Sequence, residues 1–312
     1  MLITKKLGSF GRGHPRSIIA FGVFDGLHRG HQALVRTLVS RARRAHANSV
    51  VVTFDPHPQA VLRKNKWPMI LTTLPEKERL LAGLGVDILG VIRFSGKTAA
   101  MRPEDFVKDV LVGKLAAAEV VCGQDCGFGK GRGGGLELLS ALGRDHGFSV
   151  DPVRLLRRGA LKISSTKIRE ALLAGDLGTA NRMLGRPYQL SGVVARGRQV
   201  GRTLGYRTAN VAIADRSKLI PADGVYAARA SIGGRTYDGM LYIGERPTFT
   251  GGHRQIEFNA FGIRKNLYHR AITIQLLKFI RPDREFDDAE QLRRAIQRDE
   301  RAIRKYFAGR AR

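Results

Sequence analysis

Two short apolar runs near the start of the chain, residues 17–22 and 49–54, flank a segment with helical periodicity. In that segment apolar residues recur every three or four positions from Leu34 to Ala45, as they do on one face of a helix. The two runs are apolar at nearly every position, which is typical of strands in a parallel sheet covered on both faces. Strand, helix and strand in this order form a βαβ unit. This feature restricts the first part of the chain to an α/β fold.

The alternation of helices and strands continues as far as about residue 146. Helices are predicted near residues 75–83, 103–112 and 136–146, and strands near residues 86–93 and 118–122. The first of these helices begins with Pro75 and has Glu76 in its first turn, as helix N-termini often do. The pattern predicts a doubly wound α/β domain.

The pattern changes after Pro187, where short strands separated by Gly, Asp and Pro replace the alternation. These strands are predicted near residues 189–196, 224–232, 236–243, 255–261 and 271–279. Regularly spaced short strands with turn signals between them predict a small antiparallel barrel. A final helix at 288–307 has apolar residues along one face and an aspartate at its start.

The length of 312 residues fits about two domains. The change of pattern predicts that they meet near residue 187, with an α/β domain at 1–186 and a barrel domain at 187–312. Two short helices, predicted within residues 163–185, precede this boundary.

The chain is strongly basic, with 54 Lys and Arg against 27 Asp and Glu and a net charge of +27. Such an excess suits anionic ligands, but aromatic residues make up only 7%, which is poor material for stacking nucleic-acid bases. The sequence has no run of about 18 apolar residues, so no membrane span is predicted, and residues 1–13 do not resemble a signal peptide. Cys122 and Cys126 do not make a disulfide framework. We expect a reduced, cytoplasmic protein that does not bind membranes, and nucleic-acid binding is not favoured.

A glycine-rich turn, residues 22–31 with the sequence GVFDGLHRGH, connects the first strand to the first helix. The N-terminus of that helix offers N–H groups to a phosphate, and strand ends are where open α/β sheets bind ligands. His28 and His31 are three residues apart, so both imidazoles can face one position and stabilise charge on a triphosphate. The turn predicts a nucleotide site. The alternative is that both histidines are ordinary surface residues.

Three hydroxyl residues, Ser164, Ser165 and Thr166, precede a predicted helix whose first turn contains Lys167 and Arg169. Hydroxyls cap helix N-termini, and with basic side chains beside them they also form a phosphate-binding corner. Capping alone explains this segment equally well when it is taken by itself. Together with the histidine turn, it predicts a second phosphate-binding corner of the same site.

A basic, glycine-spaced loop, residues 201–210 with the sequence GRTLGYRTAN, lies in the predicted barrel. Such a loop can wrap phosphates. Thr208 and Asn210 would point the same way on a strand and offer oxygen ligands to Mg²⁺. The loop predicts a second nucleotide site with Mg²⁺ as its metal, against the alternative of an ordinary hairpin turn.

These motifs together resemble those of the bacterial bifunctional riboflavin kinase/FAD synthetase family, from about Ile18 to Phe307. Further matching stretches are TFDPHP at residues 53–58 and FGKGR at residues 128–132. The resemblance implies a Rossmann-like nucleotidylyltransferase domain followed by a riboflavin kinase barrel with a terminal helix. It implies that the barrel phosphorylates riboflavin with ATP to give FMN, and that the first domain adenylylates FMN with a second ATP to give FAD and pyrophosphate.

The resemblance also implies a role for individual residues. The ATP site of the first domain takes residues from the two motifs there: Gly22, Phe24, Asp25, His28, Gly30, His31, Ser164, Ser165, Thr166 and Arg169. The flavin of that domain is expected near His57, Asp125, Phe128 and Arg132. The barrel is expected to bind ATP with Gly201, Arg202 and Gly205, to hold Mg²⁺ with Thr208 and Asn210, and to use Glu257 as the general base for the ribityl 5′-hydroxyl.

The sequence departs from the family mainly in the barrel. Arg207, Tyr242, Asn259 and Gly262 stand where the family usually has Pro, Asn, His and Asp. Two alternatives therefore stay open. In the first, only the N-terminal site is active and the barrel is an impaired flavin-binding module. In the second, the scaffold serves a basic nucleic-acid-binding or regulatory protein.

Overall fold

The computed structural model describes residues 1–5, 7, 16–62, 69–153, 157–158, 161–195, 206, 208–245, 254–262 and 267–309. The chain divides into two compact units, Met1–Ser165 and Thr166–Arg312. The two short helices predicted ahead of residue 187 therefore lie in the second unit, apart from Ser165 itself. The boundary between the two activities near residue 187 stays a prediction.

The first unit is built on a sheet of six parallel strands in the order β1-β4-β3-β2-β5-β6. The strands are β1 (Leu2–Thr4), β2 (Ser17–Phe21), β3 (Asn48–Asp55), β4 (Ile88–Arg93), β5 (Ala117–Gly123) and β6 (Ser149–Val153). A separate two-stranded ribbon consists of β7 (Arg157–Arg158) and β8 (Leu161–Lys162).

Successive residues of the central strand β2 enter two cores on opposite faces of the sheet. Ile18 packs in one core with Leu38, and Ile19 packs in the other with Phe106. Burial on both faces explains why the strand is apolar at successive positions from Ile18 to Phe21 rather than at alternate ones.

Helices cover both faces of this sheet. They are α1 (Arg29–Arg44), α2 (Pro58–Leu62), α3 (Leu74–Gly83), α4 (Gly96–Ala99), α5 (Pro103–Asp105) and α6 (Leu136–His146), with a π-helical segment at Phe106–Val112 directly after α5. Helix α3 begins with a capping box, in which the Thr73 N–H donates to Glu76 Oε2 at 3.0 Å and the Glu76 N–H donates to Thr73 Oγ1 at 3.4 Å.

The direction of the chain across the sheet reverses between β2 and β5. From β2 it passes through β3 and β4 to one side, and from β5 it passes to β6 on the other. The crevice beyond the carboxyl ends of the strands at such a reversal is where open α/β sheets bind ligands. The loops after β2 and β5 therefore define the candidate site of the first unit.

The second unit contains a closed barrel of six strands in the order β10-β13-β12-β11-β14-β9, and all pairings are antiparallel. The strands are β9 (Tyr188–Ala195), β10 (Ala209–Ala212), β11 (Gly224–Ile232), β12 (Arg235–Glu245), β13 (Arg254–Ala260) and β14 (Ala271–Pro282). Helices α7 (Ser165–Leu173) and α8 (Leu177–Leu184) precede the barrel, and α9 (Ala289–Ala308) follows it.

Helix α9 is fixed to the barrel by apolar packing and by one ion pair. Ile303 lies in a core cluster with Val225 and Met240 of the barrel. Arg281 of β14 donates to both carboxylate oxygens of Asp299, with Nη2 2.9 Å from Oδ2. The ion pair is largely shielded from water, since the Asp299 side chain is 7% exposed.

The predicted fold class is confirmed: a doubly wound α/β domain is followed by a small antiparallel barrel and a terminal helix. Five strands were not predicted, namely the short β1, the edge strand β6, the two strands β7 and β8 of the ribbon and the barrel strand β10. The helix predicted at 103–112 is α-helical only over its first turn and π-helical beyond it.

Candidate active sites

The two histidines of the turn after β2 lie together at the start of α1. Their rings are stacked, with centroids 3.7 Å apart and planes inclined by 16°. His28 is the N-cap of α1, and its Nδ1 accepts the His31 main-chain N–H at 3.3 Å. Because Nδ1 is the acceptor, a neutral His28 carries its proton on Nε2.

The pKa of His31 is lowered well below its ordinary value of 6.5. The largest cause is burial, and the positive charges of His28 and Lys77 lower it further. Two stacked imidazoles disfavour a second positive charge at such short range. His31 is therefore a neutral imidazole at neutral pH, and its Nδ1 has no hydrogen-bond partner within the described ranges.

The backbone of the turn adopts conformations that are costly for most residues. Phe24 and Leu27 have φ values of 49° and 37°, and Gly26 between them has φ of 77°. Non-glycine residues with positive φ are uncommon and cluster at functional sites. A Cβ at Gly30 would lie 3.2 Å from ring atoms of His28, so the glycine permits this ring to lie against α1.

Asp25 braces the turn from inside the protein. Its Oδ1 accepts the main-chain N–H groups of Leu71 at 2.9 Å and Thr72 at 3.1 Å, and the side chain is buried. The Gly26 N–H donates to Thr72 Oγ1 at 3.0 Å. The predicted contact between Asp25 and ATP stays a prediction beside this structural role.

The two predicted ATP motifs meet at one hydrogen bond. Ser165 Oγ donates to the main-chain carbonyl of Asp25 at 2.9 Å, although the two residues are 140 positions apart. Ser164 is partly buried directly before it. Thr166 and Arg169 belong to the second compact unit, and their part in the triphosphate site stays a prediction.

Three of the four residues predicted to contact flavin follow β5, the other strand of the reversal. Phe128 is buried and packs edge-on against Phe21 at the end of β2, with ring centroids 5.5 Å apart. Arg132 Nη2 donates to the main-chain carbonyl of Asp125 at 3.3 Å. The loop after β5 thus packs against the carboxyl end of β2, at the place where a ligand is expected.

His57, the fourth residue predicted near flavin, has a local structural role. Its Nδ1 accepts the main-chain N–H of Gln59 at 3.2 Å at the start of α2. The peptide bond between Asp55 and Pro56 is cis. Contact between His57 and flavin stays a prediction.

Lys77 of α3 lies next to this site and is not among the residues predicted from the sequence. It is 5% exposed, and its Nζ donates to the Val23 carbonyl at 2.7 Å and to Thr53 Oγ1 at 3.0 Å. Burial lowers the pKa of Lys77 to about 8, although Asp25 and Asp55 act in the opposite direction. One signal could have revealed it: Lys77 falls on the same helical face as Leu74 and Leu81.

In the barrel, three predicted or divergent residues form a row across adjacent strands. Asn210 of β10 is directly opposite Glu257 of β13, and Glu257 is directly opposite Tyr242 of β12. Side chains at directly opposite positions share a face of the sheet. The candidate metal ligand and the candidate general base are therefore neighbours, and Thr208 lies two residues before Asn210.

Tyr242, where the family usually has Asn, is bonded to a carboxylate beside this row. Its hydroxyl donates to Asp283 Oδ2 at 2.8 Å. Gly262 has φ of 78°, and Asn259 is buried. Gly201, Arg202, Gly205 and Arg207 of the basic loop lie outside the described residues.

Over the described ranges, no three His, Cys, Asp or Glu side chains form a group that could hold a metal ion. No helix within those ranges combines the length and apolar character needed to cross a membrane. Cys122 is buried, Cys126 is half-buried, and neither forms a disulfide.

A Rossmann-like unit with a histidine turn at its switch point, followed by a closed barrel with a polar row, defines an enzyme of the transferase class that uses nucleotides. Family models bear this out: the FAD synthetase model matches residues 12–167, and the riboflavin kinase model matches residues 184–307.

Curated relatives match almost the whole chain. The bifunctional riboflavin kinase/FMN adenylyltransferase of Escherichia coli K12 is 37% identical over 291 residues, covering 93% of this chain and 92% of the relative. The enzyme of the same name from Bacillus subtilis is 36% identical over 298 residues, covering 94% and 93%. A solved structure described as a macrolide-efflux protein from Streptococcus pneumoniae has a TM-score of 0.87 at 31% identity and covers 97% of this chain and 98% of its own.

The chain belongs to the bifunctional riboflavin kinase/FMN adenylyltransferase family. It is an enzyme with a riboflavin kinase activity and an FMN adenylyltransferase activity. These findings do not favour the two alternatives, an impaired barrel or a nucleic-acid-binding protein.

Proposed function

We propose that the two activities occur at two separate sites, each made by one group of residues described above. The adenylyl transfer takes place at the carboxyl ends of β2 and β5, and riboflavin phosphorylation takes place on the row formed by Asn210 and Glu257. The observation that carries the first site is the stacked pair of His28 and His31 at the N-terminus of α1. The cross-strand neighbours Asn210 and Glu257 support the second.

In the adenylyl-transfer site, His28 and His31 stabilise the charge that develops on the α-phosphate when the FMN phosphate attacks it. His31 acts as a neutral hydrogen-bond donor, because burial keeps its pKa low. Such preorganised donors are a large part of phosphoryl-transfer catalysis. Ser164, Ser165, Thr166 and Arg169 bind the far end of the triphosphate, and Gly22, Phe24 and Gly30 let its phosphates approach the backbone.

The flavin of this site lies near the loop that follows β5. Phe128 forms part of its apolar wall, and Arg132 and Asp125 provide polar contacts. His57 lies close to the phosphates.

In the barrel, Glu257 accepts the proton that the ribityl 5′-hydroxyl loses as it attacks the γ-phosphate. A positioned general base of this kind is typically worth about 10²- to 10⁴-fold in rate. The predicted loop residues Gly201, Arg202 and Gly205 bind the ATP phosphates. Riboflavin, FMN and ATP are the small-molecule partners, and the enzyme works in the cytoplasm.

The donor set of the barrel fits Mg²⁺. Asn210 offers a neutral oxygen opposite Glu257, Thr208 offers another two residues before it, and Mg²⁺ takes a few protein oxygens together with phosphate oxygens. When bound there, the ion neutralises charge on the phosphates during transfer.

The proposal is tested by incubating the full chain with riboflavin and ATP and separating riboflavin, FMN and FAD by chromatography. Both products are expected with Mg²⁺, and neither after chelation with EDTA. Asn210→Ala is expected to raise the Mg²⁺ concentration needed for half-maximal FMN formation. An unchanged Mg²⁺ requirement in this variant would remove Asn210 from the metal site.

A further inference from the structure

A buried cluster of three groups joins the turn that carries the histidines to the rest of the first unit. The Val23 carbonyl accepts from Lys77 Nζ at 2.7 Å and from Thr53 Oγ1 at 3.2 Å, and Lys77 Nζ also donates to Thr53 Oγ1 at 3.0 Å. The three groups come from the turn, from β3 and from α3. Thr53 is fully buried, and Lys77 is 5% exposed.

Burying an ammonium group is costly, so a buried lysine without a specific partner is less favourable than an apolar side chain at the same position. Here the ammonium has a definite partner, the carbonyl directly before the strained stretch Phe24–Leu27. That stretch has three positive φ values and needs support from its surroundings to persist. Asp25 braces the turn from one side through Leu71 and Thr72, and Lys77 holds its first residues from another.

We propose that Lys77 is a positioning residue for adenylyl transfer, because its ammonium fixes the Val23 carbonyl and thereby the turn that presents His28 and His31. The inference rests on the proposed location of the adenylyl-transfer site. In this role Lys77 acts through the turn and does not contact the substrate.

The charges around Lys77 agree with this role. Asp25 of the turn and Asp55 at the end of β3 favour the charged form of Lys77. A protonated His31 of α1 would carry the same positive charge as Lys77, so the two charges repel. The pKa of Lys77 is about 8, so the ammonium begins to lose its proton within the working range of an enzyme. FAD formation is expected to decline as the pH rises through this value.

The test compares full-length Lys77→Met and Lys77→Arg with wild type, with FMN and Mg·ATP as substrates. Lys77→Met is expected to lower kcat for FAD formation by about tenfold to a hundredfold with little change in KM, since small misplacements of catalytic groups have effects of this size. Lys77→Arg is expected to keep more activity and to lose the decline near pH 8, because a guanidinium stays charged. Exposed Lys108→Met is the matched control and is expected to behave as wild type.

Riboflavin phosphorylation in the same preparations reports the concentration of competent enzyme, and thermal unfolding reports the fold. His28→Ala, measured alongside, tests the site itself. If His28→Ala loses FAD formation while folded Lys77→Met keeps kcat within twofold of wild type, the role of Lys77 is wrong and the site stands. If His28→Ala retains FAD formation, the site assignment is wrong. If Lys77→Met fails to fold, Lys77→Arg is the deciding variant. A decline of its FAD formation near pH 8, as in wild type, would overturn the inference.

Discussion

The side-chain hydroxyl of Ser165 donates a 2.9 Å hydrogen bond to the main-chain carbonyl of Asp25, which lies 140 positions earlier in the chain. Ser165 begins α7, and Asp25 lies in the turn that presents His28 and His31. The bond brings the two sequence motifs of the candidate ATP site into direct contact. It also gives Ser165 a structural role in supporting the histidine turn.

Ser165→Ala is expected to lower FAD formation about fivefold, because a hydrogen bond of this kind contributes about 1 kcal/mol. The measurement is kcat/KM for ATP with FMN as the second substrate. Riboflavin phosphorylation in the same preparation should be unchanged. Ser140→Ala is a suitable control, since Ser140 Oγ donates within helix α6 to the Leu136 carbonyl. Equal FAD formation in Ser165→Ala and wild type would show that the bond does not support the site.

Gly30→Ala is expected to separate stability from activity. Alanine favours a helix over glycine by about 1 kcal/mol, and losing the His28 cap costs about as much, so the melting temperature should change little. Its methyl group would lie 3.2 Å from the His28 ring and would displace that ring from its stacked position. FAD formation should fall severalfold while the melting temperature changes little. Exposed Gly96→Ala in α4, where a Cβ meets nothing within 4 Å, serves as the control.

His31 is expected to titrate below its ordinary range, because burial and neighbouring positive charges lower its pKa. In the unfolded chain its pKa is about 6.5, so between the two values the unfolded state binds more protons. The contribution of His31 to stability is therefore lost as the pH falls from about 6.5 toward the folded-state value. Imidazole nitrogen shifts of the ¹⁵N-histidine-labelled chain measure this directly. A midpoint at or above 6.5 for His31 would contradict the burial of its ring beside His28.

A barrel fragment that keeps α7 and α8 is expected to be more stable than one that begins at residue 187. Asn181 of α8 donates to the Leu276 carbonyl at 2.9 Å and accepts the Tyr188 N–H at 2.7 Å. Leu177 and Leu184 of α8 are buried. We expect fragments 166–312 and 187–312 both to phosphorylate riboflavin, with a melting temperature at least about 5 °C higher for the longer one, which corresponds to about 1 kcal/mol. Equal melting temperatures would show that these helices do not support the barrel.

Hydrophobic pattern was sufficient to predict the central elements of both units. Strands such as β2 and β3 are buried on both faces, so their apolar runs are unambiguous. The unpredicted strands lack that signal. β1 has three residues and is largely exposed, and β6 contains Pro152, which an edge strand tolerates. The π-helical segment after α5 keeps nearly helical periodicity and cannot be told from an α-helix by pattern.

The site was predictable where spacing within one element determines geometry, and not where distant elements meet. The spacing of His28 and His31 predicts neighbouring rings, and the structure places them in a stack. The bond from Ser165 to Asp25 depends on tertiary packing over 140 positions. Lys77 lies in the charged stretch EKER, where a lysine is normally exposed, and its place on the helical face of Leu74 and Leu81 is the one sequence signal of its burial.

The independence of the two sites is tested most directly by two variants that should each lose one activity, His28→Ala and Glu257→Gln. Both are incubated with riboflavin and Mg·ATP, and separately with FMN and Mg·ATP, and the flavins are separated by chromatography. We predict that His28→Ala converts riboflavin to FMN at the wild-type rate and makes no FAD. Glu257→Gln should form FAD from FMN normally and lose about 10²- to 10⁴-fold in riboflavin turnover, because glutamine cannot accept the proton. Loss of both activities in either folded variant, or riboflavin turnover within about threefold of wild type in Glu257→Gln, would contradict two separate sites with these residues at their centres.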